Sequence, residues 1–204
     1  MARISFFLFV LFMTGNAHAL MELSGSFSYD KTVYGSERQN KITNRTWAGG
    51  LAIFLFESTA LELNYSTSQE ETIENEVIPL TGYNVSVIGT QSTIDNEVFG
   101  VGFRQVLGHR KARIVPSISL GYAKQFITSY SDATYRDDST LAQITTTSDP
   151  TKSRIDSVFG TFTIKLNLTQ RLSVTGSVNT LFKAFETEKA RDNLKYRVGF
   201  SWIL

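Results

Sequence analysis

Residues 194–204 read L-K-Y-R-V-G-F-S-W-I-L and alternate between two chemically different faces. Apolar and aromatic side chains share one parity, at Leu194, Tyr196, Val198, Phe200, Trp202 and Leu204. The other parity carries Lys195, Arg197, Gly199 and Ser201, and Ile203 breaks the pattern. A period of two predicts a β-strand with one apolar and one polar face. Because chain ends are more often polar and frayed, an aromatic face of this size predicts a surface that buries it.

Composition limits the kind of protein to which this strand belongs. The 204 residues predict one domain or two small ones, and the 42% hydrophobic content is too low for a helical membrane protein. The 20 Lys and Arg residues nearly balance the 19 Asp and Glu residues, so nothing in the charge points to nucleic acid. Cysteine is absent, which excludes disulfides, thiol nucleophiles and thiolate zinc sites.

The first residues predict an export signal. Residues 1–3 are short and basic, residues 4–13 are apolar except for Ser5, and Ala17-His18-Ala19 has the small-x-small pattern of a cleavage site. A membrane anchor is the alternative, but it needs roughly 20 apolar residues. We therefore expect residues 1–19 to be a cleaved signal peptide and residues 20–204 to be one mature domain, in which His109 is the only histidine.

Eight segments of the mature chain share the two-faced pattern of the last one. One face carries Leu, Ile, Val and aromatic side chains, and the other carries mainly Ser, Thr, Gly, Ala and Asn. A closed antiparallel barrel accommodates such strands because closure removes the unpaired edges. The predicted strands are residues 22–30, 46–56, 59–68, 96–107, 112–126, 155–168, 171–185 and 194–204.

Short and long connections alternate between these strands. The short turns are residues 57–58, 108–111 and 169–170, and the long connections are residues 31–45, 69–95, 127–154 and 186–193. Short turns at one end and long loops at the other are typical of a transmembrane β-barrel. A soluble barrel with its apolar face inside is the alternative, which periodicity alone does not exclude. The export signal, the asymmetric connections and the aromatic last strand favour the membrane barrel.

With these features the mature chain resembles the small eight-stranded outer-membrane proteins of bacteria, the group of OmpX, Ail and the OmpA transmembrane domain. The row Tyr196, Val198, Phe200, Trp202 and Leu204 resembles the strand that closes those barrels and is read by the barrel-assembly machinery, in which the last residue is usually Phe or Trp. The resemblance implies an all-β, eight-stranded antiparallel up-and-down barrel in the bacterial outer membrane, in contact with membrane lipid and lipopolysaccharide. It implies short periplasmic turns and long extracellular loops, and no domain is expected after the last strand.

Function is expected in the long loops, because loops held on a rigid scaffold commonly carry it. The resemblance implies a structural or surface-interaction protein, with a small pore or transporter for ions or hydrophobic molecules as the alternative. Residues 69–76 are acidic, and residues 130–151 are rich in Ser, Thr and Asp. A solvated, mobile loop without a ligand is the simpler interpretation of both stretches.

Two further sets of residues are predicted from the face of the strand on which they lie and from their position along it. The inward parity carries charges that must pair inside a narrow lumen, and we expect Glu62 and Arg104 to pair with each other. This lumen charge network comprises Glu22, Glu62, Arg104, Lys165, Arg171, Lys183, Lys195 and Arg197. An aromatic girdle at lipid headgroup level is predicted from outward aromatic residues near strand ends, namely Tyr29, Trp47, Tyr65, Tyr122 and Phe182.

Enzymatic activity is not expected. The single mature histidine, His109, lies in the short turn 108–111, at the end opposite to surface lipid or external peptide. Without cysteine or a second histidine the mature chain also offers no transition-metal site. We therefore expect no cofactor and no metal.

Overall fold

The computed structural model describes residues 20–183 and 194–204. Three predicted features lie outside the described residues. They are the signal peptide, residues 1–19, the connection, residues 186–193, and the last two residues of the predicted strand 171–185. Within these two ranges there are ten strands: β1 Met21–Tyr34, β2 Asn40–Phe54, β3 Thr59–Glu74, β4 Ile78–Pro79, β5 Val85–Val106, β6 Ile114–Asp137, β7 Gln143–Thr147, β8 Thr151–Asn167, β9 Leu172–Lys183 and β10 Leu194–Ile203. No helix in the described ranges is long and apolar enough to cross a bilayer.

Eight of these strands form a closed antiparallel barrel. The hydrogen-bonded order is β1-β2-β3-β5-β6-β8-β9-β10, and β10 pairs with β1 to complete the circle. The closing register runs from Glu22 opposite Ile203 to Phe27 opposite Val198. Leu204 adds a last backbone hydrogen bond from its amide to the Met21 carbonyl at 2.9 Å. The predicted eight-stranded barrel and its closing strand are confirmed.

The apolar face of the strands points outward. Trp47, Leu120 and Phe200 are each 62% exposed, whereas the inward neighbours Ala52 and Ser201 are almost fully buried. Small inward side chains suit an eight-stranded interior, which is only wide enough for its own side chains. A soluble barrel requires the opposite arrangement, so that alternative is wrong.

The predicted boundaries of three long connections, residues 31–45, 69–95 and 127–154, are wrong. β1 continues to Tyr34 and β2 begins at Asn40, so only residues 35–39 connect them instead of residues 31–45. Residues 69–74 and 85–95 belong to β3 and β5, and residues 127–137 and 151–154 belong to β6 and β8. These polar stretches pair with each other at the long-connection end of the barrel. Because they stand beyond the apolar exterior, they form strands without having an apolar face.

The β5–β6 hairpin extends furthest from the barrel. β5 has 22 residues and β6 has 24, about twice the 9 to 11 residues with which a tilted strand crosses a bilayer. β4 pairs with the outer part of β5, and β7 pairs with the outer part of β6. We call residues 75–93 and 130–150 the outer extension; it is a small sheet that stands beyond the apolar exterior.

Candidate functional site

The lumen is closed at the short-turn end by an apolar cluster. Phe54, Val106 and Val115 are buried there together with Ala52 and Ala60. We call these five residues the apolar floor.

A turn covers the apolar floor from outside. The Arg110 guanidinium lies 3.8 Å from the centroid of the Phe54 ring, in a cation–π contact. The Asn167 amide fixes this turn by donating to the Arg110 carbonyl at 3.1 Å and to the Ala112 carbonyl at 2.6 Å. The floor therefore separates the lumen from the solvent at this end.

Charged residues form the next layer of the lumen. Arg104 Nε donates to Glu62 Oε2 at 2.7 Å, so the pair expected from the sequence is present. Ser119 Oγ donates to the same carboxylate oxygen at 2.7 Å, and Asn64 Nδ2 donates to Glu62 Oε1 at 2.7 Å. Both oxygens of the buried Glu62 carboxylate are thus hydrogen-bonded.

A second acid links this pair to the opposite wall. Arg104 Nη1 lies 3.2 Å from Glu22 Oε1, and Lys165 Nζ lies 2.7 Å from Glu22 Oε2. Glu22, Glu62, Arg104 and Lys165, which we call the lumen ion cluster, carry two negative and two positive charges. Their side chains are between 2% and 12% exposed. Charges buried to this degree are tolerated because each is paired and hydrogen-bonded.

An aromatic ring fills the lumen beside the cluster. Phe159 is 4% exposed and points inward from β8. A Cβ atom at Gly102 would lie 2.8 Å from its ring, and one at Gly121 would lie 2.5 Å from it. Glycine at these positions of β5 and β6 therefore makes the room for the ring. Sequence reasoning missed Phe159, because a single aromatic residue on the small, polar face carries no periodic signal.

A cavity of about 110 Å³ lies in the lumen and extends from the apolar floor past the lumen ion cluster to Arg197. A volume of this size has room for several water molecules. Besides Glu62, Arg104 and Phe159, it is lined by Arg197 and by hydroxyl and amide side chains, including Ser24, Ser26, Ser66, Thr161, Thr175, Ser177 and Asn179.

The other predicted lumen charges lie outside the ion cluster. Lys195 and Arg197 share the inward parity of β10, opposite Asn179 and Ser177 of β9. Arg197 is half-buried, and Lys195 is exposed.

Arg171 and Lys183 lie at the two ends of β9. Arg171 is exposed in the turn that precedes the strand, and Lys183 is exposed at the last described residue of the strand. None of Arg171, Lys183, Lys195 and Arg197 belongs to the ion pairs among the described residues.

The aromatic residues predicted for a girdle all lie on the outside of the barrel. Phe27 packs against Trp47 with ring centroids 4.4 Å apart, and Tyr65 packs against Phe99 at 4.8 Å. Tyr29, Tyr65 and Tyr122 are between 42% and 53% exposed. Phe182 is half-buried on the same outward parity. The row on β10 has the same orientation, with Tyr196, Val198, Phe200, Trp202 and Leu204 all exposed.

The tip of the outer extension is held by hydrogen bonds around two aspartates. The Asp137 carboxylate accepts from the amides of Ser139 at 2.8 Å and Thr140 at 3.0 Å, and Asp138 accepts from Ser86 Oγ at 2.6 Å. The amide hydrogen bonds from Thr140 and Ser139 lower the pKa of Asp137. The Ser86 hydroxyl and Arg136 lower the pKa of Asp138. The tip is therefore a fixed turn.

Catalytic geometry is not found around His109. The ring is exposed in the turn between β5 and β6, where its Nδ1 accepts from the Lys111 amide at 3.2 Å. Among the described residues no group of three His, Cys, Asp or Glu side chains has the arrangement of a metal site.

The chain is similar to known proteins in structure and not in sequence. No protein-family model and no curated sequence matches it. The N-terminal β-barrel domain of Pseudomonas aeruginosa OprF superposes with a TM-score of 0.53 at 11% identity, over 91% of this chain and 98% of that chain. The chain has the fold of a small outer-membrane β-barrel.

Other solved barrels are similar over comparable lengths. Ail, the attachment invasion locus protein of Yersinia pestis, matches with a TM-score of 0.43 at 8% identity, over 92% of this chain and all of that chain. Neisserial surface protein A matches with a TM-score of 0.41 at 7% identity, over 90% of this chain and 96% of that chain. At these identities the likeness is one of fold alone.

Proposed function

We propose that this barrel is a non-enzymatic protein of the bacterial outer membrane whose outer extension binds macromolecules at the cell surface. The single observation that carries this proposal is the outer extension itself. It is an ordered sheet that the barrel does not need for closure, because the eight crossing strands already close below it.

The exposed edge of the extension supports a binding role. Residues 143–147 of β7 are all exposed, and within the described residues β7 pairs only with β6. An unpaired strand edge offers backbone donors and acceptors to an extended segment of another chain. Two backbone bonds flank β7, from the Asp137 amide to the Ala142 carbonyl and from the Ser148 amide to the Ser131 carbonyl. Since hydrogen-bonding direction alternates along a strand, the amides of residues 143, 145 and 147 face away from β6.

The exterior supports placement in a membrane. Each of the eight crossing strands has at least one large apolar side chain that is 36% or more exposed. The apolar exterior therefore runs around the barrel, and a soluble monomer rarely exposes so much apolar surface. A closed barrel satisfies its backbone hydrogen bonds internally, as the hydrocarbon interior requires. The export signal predicted for residues 1–19 is consistent with this location.

Basic residues on the extension side of the apolar exterior favour lipopolysaccharide as a neighbour. The Arg45 guanidinium lies 6.0 Å from the Tyr29 ring centroid, and Arg154 lies 5.6 Å from that of Phe126. Lys31 and Lys124 are exposed on the same outward parity. Phosphate groups of the outer leaflet match cations held at this height. The barrel-assembly machinery is the second proposed partner, through the row on β10.

The lumen argues against the pore alternative. An ion passing through would have to cross both the lumen ion cluster and the apolar floor, whose side chains are buried against each other. We expect single-channel recording of the refolded protein to show no stable conductance.

A shortened hairpin tests the surface role. Ser129 pairs with Thr151, and Glu74 pairs with Thr90, so two-residue Asn-Gly turns can replace residues 130–150 and 75–89 without changing either register. Bacteria that display the whole chain or the shortened chain are compared for adherence to immobilised fibronectin, laminin and heparin. Surface level and heat-modifiable migration confirm equal amounts of folded barrel. We expect lower adherence with the shortened chain, and equal adherence on all three surfaces contradicts the proposal.

A substitution in β7 tests the strand edge separately. Thr145→Pro removes an amide that faces away from β6, while Thr145→Val removes the hydroxyl that contacts Thr134 at 3.0 Å and keeps the amide. If the edge is the binding element, Thr145→Pro lowers adherence and Thr145→Val retains it. Equal adherence of the two variants would place binding elsewhere on the extension.

A further inference from the structure

Among the described residues, Arg197 has no partner in the lumen. Its Nε atom is buried and has no hydrogen bond, and no ion pair or hydrogen bond of its guanidinium occurs among the described residues. Arg104, the other lumen arginine, contacts two carboxylates. A desolvated guanidinium is costly unless an anion or water satisfies it.

The acids that share the upper lumen do not neutralise Arg197. On the inward parity of the neighbouring walls, Glu70 accepts from Asn44 Nδ2 at 3.2 Å, and Asp30 is exposed. Neither carboxylate lies within ion-pair distance of Arg197 or Lys195. The lumen ion cluster below is balanced and has no charge left for Arg197. Within the part of the chain that the structure describes, the upper lumen therefore contains two unpaired cations of β10, one half-buried and one exposed.

The cavity beside Arg197 is suited to an oxyanion. Its walls contribute the hydroxyl groups of Ser26, Thr161, Thr175 and Ser177, which can all donate to an anion. The two carboxylates that also line it, Glu22 and Glu62, are each paired with a cation of the lumen ion cluster. A guanidinium presents several N–H donors in a planar fork that matches the oxygens of phosphate or sulfate. The cavity is blind, because the apolar floor closes the short-turn end of the lumen, while exposed Lys195 lies on the opening side.

We propose that Arg197 and the hydroxyl groups of this cavity form a binding site for a small tetrahedral oxyanion, phosphate or sulfate, which enters from the long-connection end. Arg197 supplies the charge and the paired donors. Lys195, two residues along the same face, attracts the anion at the mouth. The cavity contains no residue of the outer extension, so this proposal is independent of the proposed surface role.

Titration of the refolded mature chain with inorganic phosphate tests the site. Isothermal titration calorimetry is carried out in detergent micelles in a chloride-free buffer, followed by competition with sulfate and with chloride. We expect saturable one-site binding of phosphate that sulfate displaces. Arg197→Gln should weaken phosphate binding at least tenfold, because the charge and the fork are both lost. Arg197→Lys should fall between, since it keeps the charge alone.

Arg171→Gln is the matched control, because it removes the same charge from an exposed turn. Heat-modifiable migration of each variant verifies folding. Equal phosphate affinity of Arg197→Gln and Arg171→Gln overturns the proposal, as does the absence of saturable binding by the unmodified chain. If Arg197→Gln does not fold, Lys195→Gln takes its place at an exposed position. Weaker phosphate binding than in Arg171→Gln then supports the site, and unchanged binding contradicts it.

Discussion

Lys165 Nζ lies 2.7 Å from Glu22 Oε2, although β9 and β10 separate their two strands in the sheet. The pair therefore bridges the lumen instead of following the wall. Because Glu22 also contacts Arg104 at 3.2 Å, one carboxylate joins β1 to both β5 and β8. The cluster ties opposite walls of the barrel together directly above the apolar floor.

Glu22→Gln should destabilise the barrel strongly. The substitution leaves Lys165 buried without its acid and Arg104 with one acid, and removing one partner from a buried ion pair costs about 3–5 kcal/mol. Urea unfolding in lipid vesicles measures the loss. The double variant Glu22→Gln with Lys165→Met keeps the Glu62–Arg104 pair and removes the orphaned charge, so it should be more stable than the single variant. A single variant as stable as the unmodified protein would show that the cluster does not hold the walls together.

Gly121→Ala should disturb the contact between β5 and β6. The added Cβ would overlap the Val101 carbonyl oxygen and lie 2.5 Å from both Gly102 Cα and the Phe159 ring. Overpacking of this kind costs about 1–3 kcal/mol. Gly176→Ala is the control, since its Cβ would have no atom within 4 Å. We expect a lower unfolding midpoint in urea for Gly121→Ala alone. Equal midpoints would mean that the two strands adjust to the added methyl group.

A two-residue period in the sequence predicts some features of this barrel and not others. Parity was enough for the barrel, for its closing strand and for the Glu62–Arg104 pair, because inward residues at a similar height on adjacent strands are neighbours. In the register Glu62 lies opposite Gly102 and Arg104 opposite Ala60, so the pair is a diagonal one. It missed the outer extension, since strands outside lipid have no apolar face to detect. It also missed the bridge from Lys165 to Glu22 and the position of Phe159, which depend on barrel shear and lumen width. No local sequence pattern encodes either quantity.

Leu120→Arg tests whether the exterior of the barrel faces lipid or water. Leu120 is 62% exposed on the outside of β6, and Ile144 is 66% exposed on β7 of the outer extension. An arginine on the lipid face costs about 2–4 kcal/mol near the bilayer centre, whereas in water such a change is close to neutral. Unfolding in lipid vesicles should therefore show a large loss for Leu120→Arg and little for Ile144→Arg. Similar small losses for both would argue against a lipid-facing belt.

The turn at the tip of the outer extension should loosen in acid. Because the amide hydrogen bonds from Thr140 and Ser139 lower the pKa of Asp137, the turn is stabilised above the ordinary aspartate pKa of about 3.9. This stabilisation is lost as the pH falls through the lower pKa of the folded state. NMR titration of the Ser139 and Thr140 amide resonances should give a midpoint below the ordinary value, and Asp137→Asn should abolish the titration. A midpoint at or above the ordinary value would contradict the tight turn.

Removal of residues 200–204 should prevent the barrel from closing. β10 pairs with β1 through Phe200 opposite Gly25 and Trp202 opposite Leu23, and the Leu204 amide bonds to Met21. Without these contacts much of the β1 ladder is left unpaired in lipid, where each unsatisfied backbone group costs several kcal/mol. Cell fractionation and heat-modifiable migration of the truncated chain measure insertion, and Leu204→Phe is the control that keeps the backbone bond and the aromatic row. We expect Leu204→Phe to insert normally and the truncated chain to accumulate unfolded. Normal insertion of the truncated chain would show that β9 and β1 can close the barrel without the end of β10.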